Sequence, residues 1–120
     1  MDRTTKRMSK IMDELIRFFF QIGSSGIHMD LRRMGDGYAL ALKSDFTPEN
    51  RPKVEEMKEI FETAEKNLGI EEIYWGLAGE DYGGEDSELQ LVAQMADLLR
   101  LEIVGNQVEM VVCRKKRPDA

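Results

Sequence analysis

One histidine, His28, and one cysteine, Cys113, leave little room for nucleophilic or metal chemistry built on those side chains. His28 could act as a general acid or base. It falls on the outward side of an alternating segment, so an exposed neutral imidazole is the expectation. Asp30 and Arg32 share that side and read as partners in cross-strand ion pairs. Cys113 closes an apolar strand and reads as a buried structural thiol; alone, it forms no disulfide framework or clustered metal site. The run GLAGEDYGGED places Glu80, Asp81, Glu85 and Asp86 close together, and calcium takes carboxylate oxygens. The regular D-x-D-x-D-G spacing of a calcium loop is missing, which favours a plain acidic loop. Gly83 and Gly84 within it read as a flexible turn. No Ser–His–Asp, Cys–His, HExxH or Walker pattern occurs, and no metal is expected.

These residues sit in a chain of 120, enough for one domain with one core. A formal charge of −6 is a poor basis for a broad nucleic-acid footprint, and none is expected. The basic run Arg114-Lys115-Lys116-Arg117 follows the last strand and reads as a solvated tail. The division expected is therefore one domain over 1–113 and a basic tail over 114–120. The opening MDRTTKRMSK is basic but is followed by no signal-peptide apolar core. The apolar run around Phe18-Phe19-Phe20 is too short to cross a bilayer. A soluble, cytoplasmic protein with no membrane partner is the expectation, and a single unpaired cysteine fits a reducing compartment.

The elements that must position any site follow from periodicity. Met8, Ile11, Met12, Leu15, Phe18, Phe19 and Ile22 recur at steps of three and four, which predicts a helix from Thr4 or Thr5 to before Gly23. Ile16 and Phe20 fall outside that stripe and are candidates for contact with a partner or a second protomer, against packing under a loop. Gly23-Ser24-Ser25-Gly26 stops the helix. Ile27 to Arg33 and Tyr38 to Lys43 alternate, and Met34-Gly35-Asp36-Gly37 makes the turn between them, with Asp36-Gly37 as the hairpin signal. Val54, Met57, Ile60, Phe61, Ala64 and Leu68 predict a helix from Pro52 to Leu68. Ile70 to Trp75 leans to a short strand. Asp86 or Ser87 can cap a further helix reaching Leu99, and Leu101–Val104 with Val108–Cys113 form a last hairpin across Gly105-Asn106. The fold expected is α+β: a two-layer α/β sandwich, its mixed or antiparallel sheet of four or five strands covered on one face by three helices.

This order resembles the ATP-binding domain of sensor histidine kinases, within the wider GHKL superfamily. Asp13-Glu14-Leu15-Ile16-Arg17-Phe18 is similar to the family's E-L-x-x-N-A motif. Lys43 to Glu49 lies where its D-x-G-x-G loop belongs. Glu59-Ile60-Phe61-Glu62 resembles the IFE segment that follows, and Leu89 through Leu98 the helix after the later glycines. The resemblance spans Met12 to Arg114. It implies an adenine contact for Asp45 and a place near bound phosphate for Gly83 and Gly84. The departures matter as much. Phe18 stands where the family has the asparagine that ligates Mg²⁺. Thr47 and Glu49 replace glycines that admit the base. Asp86-Ser87-Glu88 sets carboxylates where a triphosphate would lie, at roughly 4 kcal/mol for each like-charge contact near 4 Å in an effective dielectric of about 20.

The functional expectation is a non-catalytic relative of that domain, without ATP or Mg²⁺, acting as a regulatory or protein-interaction module in signalling, through a protein partner or a homodimer. One alternative is a metal-independent nucleotide or small-molecule site using Asp45. Another is an unrelated α/β sandwich that self-associates through Ile16 and Phe20.

Overall fold

Period-two patterning near both ends of the chain becomes two antiparallel hairpins, and the hairpins share one sheet. The computed structural model describes residues 3–64 and 89–115. Within them α1 spans Arg3–Gln21, β1 Ile27–Met34, β2 Gly37–Asp45 and α2 Arg51–Thr63, the last entered through a 3-10 turn at Pro48–Asn50. After the residues that are not described come α3 Leu89–Met95, β3 Asp97–Val104 and β4 Gln107–Arg114. The sheet has four strands in the order β1-β2-β4-β3. Every neighbouring pair is antiparallel. The described residues thus form an α+β two-layer sandwich, as the periodicity predicts.

Alternation decides which face is covered. Leu40 and Leu42 of β2 and Val108, Met110 and Val112 of β4 are buried. Against them pack Ile11, Leu15 and Phe19 of α1, Val54, Met57 and Phe61 of α2, and Leu91, Val92 and Met95 of α3, all in one cluster. Each such side chain, fully buried, contributes about 1.5–3 kcal/mol relative to exposure. Phe18 meets Phe19 edge to face at 5.1 Å between ring centres, the arrangement that the ring quadrupole favours. Ile16 and Phe20 stay outside the stripe and remain 37% and 55% exposed.

The first hairpin turns within Met34-Gly35-Asp36-Gly37, as expected: Gly35 and Asp36 form its tip, Gly35 at φ +59°, and Met34 pairs with Gly37. Several boundaries differ from the sequence reading. Asp97 to Leu99 belong to β3 rather than to the preceding helix, because pairing of Asp97 with Cys113 and Leu98 with Val112 outweighs their helical pattern. A register shift between Leu98 and Arg100 marks the irregularity in β3. Helix α2 ends at Thr63 because Ala64 turns to extended backbone (φ −67°, ψ 135°). Arg114 is not tail but the buried last residue of β4, donating from Nη1 to the Met95 carbonyl at 2.9 Å. The Asp30–Arg32 pair, 3.1 Å apart, lies along one strand rather than across two. The segment 70–75, the acidic loop with Gly83 and Gly84, and the capping pair Asp86 and Ser87 lie outside the described residues.

Two glycines test this packing. A Cβ on Gly37 would press on the Arg114 carbonyl oxygen and lie 2.7 Å from Lys115 Cα, both backbone. A Cβ on Gly26 would meet nothing within 4 Å. Gly37→Ala should therefore cost about 1–3 kcal/mol in urea unfolding, as overpacking does, while Gly26→Ala should be near neutral.

Candidate functional site

The polar residues that converge most closely lie at one corner, where α1 ends and β2 runs out. Gly23 takes φ +88°, the left-handed region that ends helices. It brings the chain round so that Ser24 and Ser25 face the end of β2. The Ser25 backbone N–H donates to Asp45 Oδ1 at 2.8 Å, and the Ser25 hydroxyl donates to Oδ2 at 2.5 Å. Ser24 Oγ is 3.0 Å from both Asp45 Oδ1 and the Gly26 carbonyl. It has one proton for two acceptors, so the Ser25 donors are the firmer pair. Ser44, buried on the same strand end, reaches Ser24 Oγ at 2.8 Å.

A second set of bonds ties the next loop to the helix end. The Ile22 carbonyl, left open where α1 stops, accepts from the Thr47 N–H and from Asn50 Nδ2, each at 3.1 Å. Asn50 Nδ2 also donates to Thr47 Oγ1 at 2.7 Å. Thr47 packs so closely on Gly23 that a Cβ there would lie 2.5 Å from Thr47 Cγ2. From the other hairpin, the Asn106 carbonyl accepts from the Phe46 N–H at 3.0 Å, and the Gly105 carbonyl accepts from Arg51 Nη1 at 2.8 Å.

These bonds fix the electrostatics of Asp45. Donors aimed at its oxygens favour the ionised form. The Ser25 hydroxyl, then the Ser25 N–H, hold the carboxyl below its ordinary 3.8, at about 2. The carboxylate is thereby satisfied mainly from within the chain: the Ser25 donors occupy two of its roughly four acceptor sites, and Ser24 shares its proton between a third and the Gly26 carbonyl.

The other predicted residues are dispersed. Phe18 is 5% exposed and belongs to the core cluster, with no oxygen or nitrogen to offer a metal. Glu14 is buried and meets Lys10 Nζ at 3.0 Å, one helical turn away. Ile16 and Phe20 stay exposed on α1, outside its buried stripe, and make no part of this corner. Cys113 is a buried free thiol. Among the described residues no group of three His, Cys, Asp or Glu side chains could hold a metal ion, and no helix is long and apolar enough to cross a membrane. Gly83 and Gly84 fall outside the described residues. Sequence reasoning took Ser24 and Ser25 only as a helix stop and missed their role toward Asp45. The signal was there in kind: small hydroxyl residues after a C-terminal glycine favour local bonds to backbone and carboxylate. Compared with family models, curated proteins and solved structures, the chain gives no match.

The depressed Asp45 carboxyl has a sign in acid. Its contribution is fully present above pH 3.8, where the unfolded chain is also ionised, and is lost as pH falls through about 2. Thermal melts should show the native chain losing stability over that window more steeply than Asp45→Asn. Ser25→Ala should bring the Asp45 midpoint back up toward its ordinary value, read by carboxyl NMR shifts.

Proposed function

We propose that this chain is a non-catalytic regulatory or protein-interaction domain of signalling, built on a scaffold like the ATP-binding domain of sensor histidine kinases. Two features support the scaffold. A long N-terminal helix leads into a hairpin, a second hairpin ends the described fold, and both hairpins lie in one sheet beneath the helices. The observation that carries the non-catalytic part is the state of the two described positions on which nucleotide binding would depend. Phe18, in place of a metal-ligating asparagine, is committed to the core. Asp45, in place of a free adenine acceptor, is committed to Ser24 and Ser25. An adenine amino group would have to compete with those donors for the carboxylate's acceptor sites. On this reading the fold serves contact with another protein rather than turnover. The lone buried thiol fits a cytoplasmic, reducing setting.

Titration calorimetry with Mg·ATP tests the reading. The expected outcome is no saturable heat up to about 1 mM nucleotide, the weak end of measurable affinity. Saturable binding at tens of micromolar, lost in Asp45→Ala, would overturn it. If that binding persisted without Mg²⁺, the metal-independent nucleotide site would replace it.

The position of Phe18 gives a second check. Phe18→Asn would restore the residue type of the resembled motif but take a polar amide into the core. It should destabilise the fold by about 3 kcal/mol or more, by analogy with large-to-small core substitutions, and should not create Mg·ATP binding.

A further inference from the structure

The helices cover one face of the sheet, and the side chains of its other face form rows across all four strands. In one row Asp30 of β1 is followed by Ala41 of β2, Val111 of β4 and Arg100 of β3, each pair in register. In the next row the sequence is His28, Lys43, Glu109 and Glu102. The charged members are open to solvent: Asp30 is 55% exposed, Arg100 56%, Lys43 55% and Glu109 43% at their side chains. Between them Ala41 and Val111 floor an open depression of about 260 Å³.

The order of charge along these rows has a consequence for association. The first row is acidic at the β1 end and basic at the β3 end. In the second, Lys43 of β2 is basic, and Glu109 of β4 and Glu102 of β3 are acidic. A second copy turned about an axis parallel to the strands, midway between β2 and β4, lays β1 over β3 and β2 over β4 while keeping each row on itself. Asp30 then meets Arg100 of the other copy, Lys43 meets Glu109, His28 meets Glu102, and Ala41 meets Val111. An axis across the strands is worse. Passed through the first row it stacks Asp30 on Asp30 and Arg100 on Arg100. Passed between the rows it sets Lys43 and Glu109 over Ala41 and Val111.

We propose that two copies of this chain associate by stacking the open faces of their sheets about a two-fold axis that runs parallel to the strands between β2 and β4. Face-to-face sheets lie about 10 Å apart, room for small Ala and Val centres and for acid–base pairs reaching across. The ion pairs already formed within each chain, Asp30–Arg32 and Arg100–Glu102 at 3.1 Å and Lys43–Glu109 at 3.3 Å, join into larger networks rather than breaking. The row containing Cys113 is left out because that residue is already buried within the chain. The remaining patch is about 20 Å square, or ~800 Å² for the pair, which is the size of a weak and reversible interface. This surface lies on the opposite layer from Ile16 and Phe20, and the inference is independent of the nucleotide reading.

Sedimentation equilibrium of the full chain at low salt tests it. The native protein should show a monomer–dimer equilibrium with Kd on the order of 100 µM, weakening as salt rises. Arg100→Asp and Asp30→Arg, each placing like charges together, should each weaken association about tenfold or more. The double variant Asp30→Arg/Arg100→Asp should return to within about threefold of native, because the pair is swapped across the axis. Recovery in the double variant cannot arise from a folding defect in either single one. Phe20→Ser should leave association unchanged. A native chain that stays monomeric at about 1 mM would overturn the proposal. So would a dimer indifferent to both single reversals, a double variant weaker than either single one, or association lost in Phe20→Ser.

Discussion

The pairing of β2 with β4 is the constraint on which the described fold depends. A lone two-stranded hairpin is marginal in water, and this chain has two. Antiparallel register from Tyr38–Arg114 to Asp45–Gln107 joins them into one surface large enough to support a helical layer. It also sets the inward side: Leu40, Leu42, Val108, Met110 and Val112 line up beneath α1, α2 and α3, and a slip by one residue would turn them to solvent. Among the described residues β1 and β3 are the outer strands, where charged residues such as Asp30, Arg32, Arg100 and Glu102 discourage unspecific strand pairing.

At the far end of that pairing, Asp45 sits beside the second hairpin's turn and under the loop that leaves α1. Chain geometry makes this a corner where three connections meet, and backbone groups there have lost their regular partners. The Ile22 carbonyl finds Thr47 and Asn50; the Asp45 carboxylate finds Ser24 and Ser25; the Asn106 and Gly105 carbonyls find Phe46 and Arg51. A carboxylate so engaged stabilises the loops that bring donors to it. It also stays ionised in all but strong acid. The same features make it a poor free acceptor for an outside ligand.

Much of this was legible from the chain alone. The apolar stripe of α1, the alternation in both hairpins and the Gly105-Asn106 turn each pointed to one conformation, so local and tertiary preferences agreed. The misreadings fell where they conflicted. Asp97-Leu98-Leu99 suits a helix by composition, and only the strand partners in β4 decide otherwise. Arg114 reads as tail because its basic neighbours follow it; one of its partners, the Met95 carbonyl at the end of α3, is distant in sequence. The part Asp45 plays was not legible in advance: its partners Ser24 and Ser25 follow only from the fold.

The central claim is that the Asp45 carboxylate belongs to Ser24 and Ser25 rather than to a ligand. Carboxyl-detected NMR of the native chain, titrated with pH in the presence and absence of Mg·ATP, addresses it most directly. The account predicts an Asp45 midpoint near 2, the same in both series. An ordinary carboxyl midpoint, or an Asp45 signal that moves and saturates as nucleotide is added, would contradict it.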